Sequence, residues 1–284
     1  QQVAKVPSSA PKGATSWLDA LGMLQSALPC PIPGLPPALT TAFDCASMRS
    51  IANAVPYTPR ALMPGQLPGA VDHRTMGLTG PVKDQAQVGA CAGFALSSVM
   101  DTAARRMGRN DVVSPLHIFS KYTGHGLHML KGLPITSEPV WTYDPAKACQ
   151  FASAEQASGC DSHYHVQSGS ARNNPQLMGE QSRADMTGYY RIDAFEDLSK
   201  QDLDQVAALL ADGEAVWAAV DFYRPAWQDP SIQKTGYLPY YPDGDGLGHG
   251  VTLQGYRQGP NGREFLFQNS WGADWGQGGY AWIP

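Results

Sequence analysis

The chain predicts an α+β fold, with helical spacing in its first two thirds and alternating strands towards its end. Three observations carry this. Residues 91–107 place Phe94, Leu96, Val99, Met100 and Ala103 on one apolar face, with no proline inside and Gly108 just after, which is the spacing and stop signal of a helix. Ser114-Pro115 opens a short second helix through Tyr122, with proline at the first position, where a missing N–H costs nothing. Later, Gly250-Val251-Thr252-Leu253-Gln254-Gly255-Tyr256 and Glu264-Phe265-Leu266-Phe267-Gln268-Asn269 read as strands.

The first 66 residues differ from the 67–284 domain that follows. Trp17, Leu18, Leu21, Leu24 and Leu28 have helical spacing behind a Ser16 cap. A proline-rich run (Pro29, Pro31, Pro33, Pro36, Pro37), a short helix over 41–54 and further prolines follow. In the middle of the chain, Gly124-His125-Gly126 is a glycine-containing strip. Residues 157–186, rich in serine, asparagine and glutamine, read as a long surface loop or insertion. The alternating His163 and His165 read there as solvated side chains rather than metal ligands. Ser199-Lys200-Gln201-Asp202 opens a helix through Leu210 that Gly213 ends, and Ala215–Val220 is the strand after it. Asp243-Gly244-Asp245-Gly246 lacks the later glutamate of a calcium loop and reads as a turn. No metal site and no cofactor are expected.

At 284 residues and 43% hydrophobic, the chain can bury a substantial core. A net charge of −5 without a long basic run disfavours nucleic acid and anionic membranes as partners. No apolar run reaches the ~18 residues of a membrane span. A start at Gln1 without charged and apolar leader regions fits a chain from which a signal has been cut. Besides Cys91, four cysteines allow three pairings. Proximity favours Cys30 with Cys45 and Cys149 with Cys160, each bridge worth about 3 kcal/mol in the chain-entropy model. Bridges imply an oxidising compartment, secreted or periplasmic; four reduced, buried thiols in a cytosolic protein are the alternative.

A lone cysteine opening an apolar helix reads by itself as a core residue. Here it has company. Gln85 precedes Cys91 by six positions, His249 sits in the glycine-rich Gly246-Leu247-Gly248-His249-Gly250, and Asn269-Ser270-Trp271-Gly272 closes a strand. A free thiol is only a few per cent thiolate at pH 7, with a pKa near ~8.5, so a nucleophilic role needs something that favours the anion. The positive end of the helix and an imidazolium from elsewhere in the fold supply two such sources. Asn269 would fix the tautomer of His249 and Trp271 would cover that bond. Gln85 would donate a side-chain N–H to an oxyanion beside the Cys91 backbone N–H.

In order and spacing, Gln-x5-Cys, His-Gly-Val and Asn-Ser-Trp-Gly resemble the papain family of cysteine peptidases. Val71-Asp72-His73-Arg74 with Gly80-Pro81-Val82-Lys83-Asp84-Gln85 resembles the family's opening segment. Trp271-Gly272-Ala273-Asp274-Trp275-Gly276 with Gly278-Gly279-Tyr280 is similar to its closing strands, and Asp212–Val220 to the turn and strand that lead into the histidine domain. The resemblance implies a two-lobe fold, with a helical left lobe carrying Cys91 and an antiparallel, β-barrel-like right lobe carrying His249 and Asn269. It implies peptide hydrolysis through a Cys91 thioester, a protein or peptide substrate, and a zymogen whose N-terminal segment acts as an intramolecular inhibitor. Gly89 and Gly250 would border the cleft, and Trp271 or Trp275 the leaving-group side.

Departures bear on these expectations. Position 88 is valine where the family usually has a disulfide-forming cysteine, so the segment before the helix should loosen unless apolar packing replaces the bridge. Position 92 is alanine where a tryptophan usually follows the nucleophile. The family's C-terminal tail, part of the floor of its main specificity pocket, is short or absent after Tyr280. Residues 1–66 read either as a removable pro-segment or, slightly favoured, as a permanent extension packed on the lobes. A peptide ligase or transpeptidase on the same site, and a catalytically silent binding protein, remain as alternatives to the hydrolase.

Overall fold

The computed structural model describes residues 2–5, 55–56, 58, 61–62, 65–121, 127–154, 156–157, 159–198, 202–241 and 247–284. The expected helices over 16–28 and 41–54, Cys30, Cys45, the strip 124–126 and the turn 243–246 lie outside them. In chain order the strands are β1 (Gln2–Lys5), β2 (Val55–Pro56) and β3 (Ala70–Asp72). The helices α1 (Cys91–Arg106), α2 (Pro115–Lys121), α3 (Pro145–Phe151), α4 (Cys160–Tyr164) and α5 (Pro175–Thr187) follow. Then come β4 (Ala194–Asp197), α6 (Leu203–Ala211), β5 (Val216–Phe222), α7 (Arg224–Trp227) and α8 (Ser231–Thr235). The chain closes with β6 (Leu247–Gly259), β7 (Gly262–Gln268) and β8 (Tyr280–Ile283).

The helical half forms where its caps and apolar faces require. Phe94, Leu96, Val99 and Met100 are all buried on α1, and Gly108 takes a φ of +74° just past its end, a conformation glycine adopts without a Cβ penalty. Ser114 Oγ accepts the His117 N–H at 3.1 Å and donates to the Trp141 carbonyl at 2.6 Å, which caps α2 and ties it to the next segment. The Asp144 carboxylate caps α3 through the Ala146 and Lys147 N–H groups.

Residues 157–186 are not the loop that their composition suggests. They hold α4, a 3-10 turn (Ala171–Asn173) and most of α5. Asn174 caps α5 by accepting the Leu177 N–H, with Pro175 at its first position. Of α5 only Leu177 and Ala184 are buried, so no apolar stripe announces it. Polar ties hold it instead: Glu180 to Lys147 and the Trp141 indole, Gln181 to Ser120, and Asp185 to His117 and Lys121.

The sheet runs β2-β4-β1-β5-β6-β7-β8, with β3 added to β6. Its pairs are antiparallel except β2 with β4. The N-terminal β1 thus lies inside the sheet, aligning Gln2 with both Asp197 and Trp217. Gly255 is needed where β3 crosses β6, because a Cβ there would lie 2.3 Å from the Val71 carbonyl.

Separate cores lie on the two sides. Val206, Leu209, Val216, Trp227, Val251, Leu253 and Phe267 fill the sheet lobe. Phe94, Leu116, Phe119, Trp141 and Leu177 fill the helical lobe, together with Cys149 and Cys160, which are joined in a disulfide. The α1 helix lies along β6: Thr252 Oγ1 donates to the Ala95 carbonyl at 2.8 Å, and Gln254 bonds Thr102.

Candidate active site

Cys91 is the first residue of α1. Its N-cap is Ala90, which offers no side-chain acceptor, and the first turn holds no acidic residue, so the positive end of the helix is left uncompensated beside the thiol. Cys91 is the free cysteine among the described residues, and it is only partly exposed. Burial pushes the thiol up, while the backbone N–H groups of Gly250, Ala92 and Cys91 favour the thiolate.

His249 reaches this helix end on β6, at the register position opposite Val220. The next residue explains how closely the two lobes meet. A Cβ on Gly250 would lie 2.9 Å from the Ala92 Cα and 3.2 Å from the Cys91 carbonyl carbon, so the backbones pack directly and only glycine fits. The His249 ring is 6% exposed and stands against Trp271 (5.0 Å between centroids), Trp227 (5.1 Å) and Phe222 (6.2 Å). Burial in this aromatic setting pushes its pKa down to about 4, against the opposing effect of the Asn269 bond.

Asn269 orients the ring. His249 Nε2 lies 2.8 Å from Asn269 Oδ1, which also accepts the Ser270 N–H at 2.8 Å. Two donors on one oxygen identify it as the carbonyl end of the amide, so Nε2 carries the proton and Nδ1 is left as an acceptor. The Asn269 Nδ2 is buried without a partner among the described residues.

Gln85 is 7% exposed. Its backbone N–H donates to the Ser270 carbonyl at 2.9 Å, its Oε1 accepts from Ser270 Oγ at 2.6 Å, and its Nε2 donates to the Val88 carbonyl at 2.8 Å. One of the two Nε2 hydrogens is therefore committed to Val88. Upstream, Lys83 bonds Asp101 on α1 at 2.7 Å, with side chains 9% and 0% exposed, and this anchors the segment that leads to Gln85. Burial pushes the Asp101 carboxyl up against the pull of Lys83.

The structure thus brings Cys91, His249, Asn269, Gln85, Gly250 and Trp271 to one place. Gly89 is exposed but packs on Gln156, where a Cβ would lie 2.9 Å from the Gln156 Cα. Trp275 stands one layer back, stacked on Trp227 at 5.9 Å and donating to the Trp227 carbonyl at 3.0 Å. Three contributors carried no signal that residue-by-residue inspection could find. Ser270 holds the Gln85 amide, Trp227 walls in His249, and Trp217 on β5 donates its indole N–H to the Ala92 carbonyl at 3.1 Å. Trp217 brings an indole beside position 92, where the chain has alanine.

Comparison with known proteins agrees with this architecture. Among solved structures, xylellain, a cysteine protease from Xylella fastidiosa, superposes with a TM-score of 0.58 at 23% identity over 82% of this chain and 85% of that one. Digestive procathepsin L 3 of Tenebrio molitor larval midgut gives a TM-score of 0.56 at 20% identity, over 81% of this chain and 67% of that one. Mouse (Mus musculus) cathepsin K is 23% identical over 247 residues, 82% of this chain and 64% of its own length. A cathepsin L-like proteinase of Phaedon cochleariae is 24% identical over 219 residues, 76% of this chain and 60% of its own. The chain spans about three fifths of the length of these curated relatives. The family model described as papain family cysteine protease matches residues 143–284, half of the chain, including His249 and Asn269. With a thiol on a helix end, a histidine–asparagine pair on the sheet packed against that end and this match, the chain belongs to the papain family of cysteine proteases.

Proposed function

We propose that this chain is a thiol peptidase that hydrolyses peptide bonds through a thioester on Cys91. The observation that carries the proposal is the meeting at Gly250: the strand bearing His249 rests on the backbone of Cys91 and Ala92, and Asn269 sets the imidazole so that Nδ1 is free. Cys91 Sγ attacks the substrate carbonyl and its proton passes to His249. The oxyanion is met by the Cys91 backbone N–H and the second Nε2 hydrogen of Gln85. The imidazolium then protonates the leaving amine, and water resolves the thioester. Burial penalises either charge alone, but a thiolate and an imidazolium in contact neutralise one another and share the helix end and three backbone N–H groups.

The Cys149–Cys160 bridge supports an oxidising compartment, secreted or periplasmic. No helix among the described residues is long and apolar enough to cross a membrane. For residues 1–66, the pairing of β1 between β4 and β5 supports a permanent extension, because a removable segment would take an internal strand with it.

A second reading, a catalytically silent binding protein, is favoured by the same burial, which drives Cys91 and His249 to their neutral forms. Alkylation of Cys91 against pH, with peptide hydrolysis in parallel, decides between them. Fast labelling down to about pH 5, far below the ~8.5 of a free thiol, together with turnover that Cys91→Ala abolishes, is the expected result. Labelling that appears only above about pH 8 without turnover would establish the silent protein. An added amine that diverts the product would make the enzyme a ligase. A chain beginning at Leu67 should label more slowly or fold less stably than the full chain; faster labelling would make residues 1–66 an inhibitory pro-segment.

A further inference from the structure

The loop closed by the Cys149–Cys160 disulfide meets the segment before the nucleophile at several points. The Gly89 N–H donates to the Gln156 carbonyl at 3.0 Å. Gly159 lies so close to Gln87 that a Cβ on it would fall 2.0 Å from the Gln87 carbonyl oxygen. Just past the loop, the Tyr164 hydroxyl accepts the Gln87 N–H at 3.2 Å. Val88, 2% exposed, packs in one cluster with Cys149, Cys160 and Ala152. Gln156 is tied locally: its N–H donates to the Ser153 carbonyl at 3.1 Å, and its Oε1 accepts the Ser153 N–H at 3.0 Å.

These contacts converge on residues 87–89, and the Val88 carbonyl is the acceptor that holds Gln85 Nε2. Position 88 is valine and offers no thiol for a bridge, so packing and hydrogen bonds brace this segment. We propose that the disulfide-closed loop 149–160, through Gln156 and Gly159 and with Tyr164 beside it, is a positioning element that holds Val88 and thereby aims the Gln85 amide at the oxyanion formed on Cys91. The proposal rests on the peptidase reading above. None of its residues touches the reacting atoms; they act through the segment they hold.

An element that acts on the oxyanion is felt in the transition state and not in substrate binding. It is also not felt by iodoacetamide, whose displacement reaction builds no oxyanion. The test compares the full chain with its Cys149→Ser/Cys160→Ser variant, without dithiol, measuring kcat and KM on a fluorogenic peptide and the iodoacetamide rate at Cys91 by peptide mapping. The expected result is a kcat lowered about tenfold, part of the 10²–10³ that loss of a whole oxyanion donor costs, with KM and alkylation within about twofold. If the double variant does not fold, Tyr164→Phe, which removes only the hydroxyl that meets Gln87, should lower kcat about threefold in the same pattern. Wild-type turnover with an unchanged kcat in the folded variant overturns the positioning role alone. Parallel loss of turnover and alkylation also overturns it, by showing a general structural effect. No turnover by the wild-type chain overturns the peptidase reading and this one with it.

Discussion

The two halves of the site are held by different means. His249 is placed by regular structure: its strand pairs with β5 across seven successive positions, Leu247 to Leu253, and with β7 from Thr252 onward, and three aromatic rings close over the imidazole. The segment from Lys83 to Cys91 has no such ladder. It makes an isolated bridge between Asp84 and Trp271, and single contacts fix the rest: Asp101 on Lys83, Ser270 and Tyr143 on Gln85, Tyr164 on Gln87 and Gln156 on Gly89. A ladder spreads its load over many equivalent bonds, so losing one leaves the rest in register. A segment pinned by single contacts depends on each of them, and its errors pass directly to the oxyanion donors.

The largest expected effect breaks the ladder half at the place where it meets the other. In Gly250→Ala the new Cβ would lie 2.9 Å from the Ala92 Cα, and backbone cannot yield as a side-chain tip can. The strand must retreat and carry His249 with it. Turnover should fall at least about 100-fold, the cost of a displacement near 1 Å, while circular dichroism stays that of the folded protein. Activity within threefold of wild type would mean that the two backbones do not need this contact.

A smaller effect probes the pinned half. Ser270→Ala removes the 2.6 Å bond to Gln85 Oε1 and frees the amide to turn. Turnover should fall about tenfold at constant KM, less than the 10²–10³ expected for Gln85→Ala. Equal losses in the two variants would assign the whole effect to positioning, and no loss in Ser270→Ala would show that Val88 alone suffices to hold the amide.

The smallest effect is on stability and concerns the buried His117 on α2. His117 is pushed down by burial against the pull of Asp185; its Nδ1 accepts the Thr136 N–H at 2.9 Å, so protonation there would forfeit that bond. Lys121, on the same helix, also faces Asp185 and opposes a second positive charge. Because the folded value of His117 lies below the unfolded ~6.5, the unfolded chain binds more protons below that pH. The stabilisation is therefore complete above about pH 6.5 and is lost as pH falls through the folded value. Urea melts should show unfolding free energy falling by up to about 1.4 kcal/mol per pH unit below that pH on account of this ring, and His117→Gln should flatten that slope. A slope that is the same in the variant would remove His117 from the account.

Much of the fold was legible because local periodicity and caps coincide with tertiary packing. The apolar face of 91–106, the Ser114-Pro115 start and the strand runs 250–256 and 264–268 each satisfy a local rule and the global core at once. Residues 175–187 were not legible, since their helix buries only Leu177 and Ala184 and rests on polar partners from other elements. The same contrast runs through the site. Cys91, His249, Asn269 and Gln85 stand in recognisable local strings, whereas Ser270 as the holder of Gln85, Trp217 beside Ala92 and Gln156 on Gly89 act across separations that no local pattern records.

By itself, then, the sequence determined which chemical groups are present, the helix that opens with the thiol and the strands that carry the base and its amide, because those depend on spacing and residue type over a few neighbours. Only the tertiary structure decided how the groups meet. Backbone contact at Gly250, the aromatic enclosure that shifts His249, the entry of β1 into the sheet and the disulfide loop beneath Val88 all join residues far apart in the chain. Close packing, desolvation and strand pairing are properties of what surrounds a residue in space, and those surroundings exist only once the chain has folded.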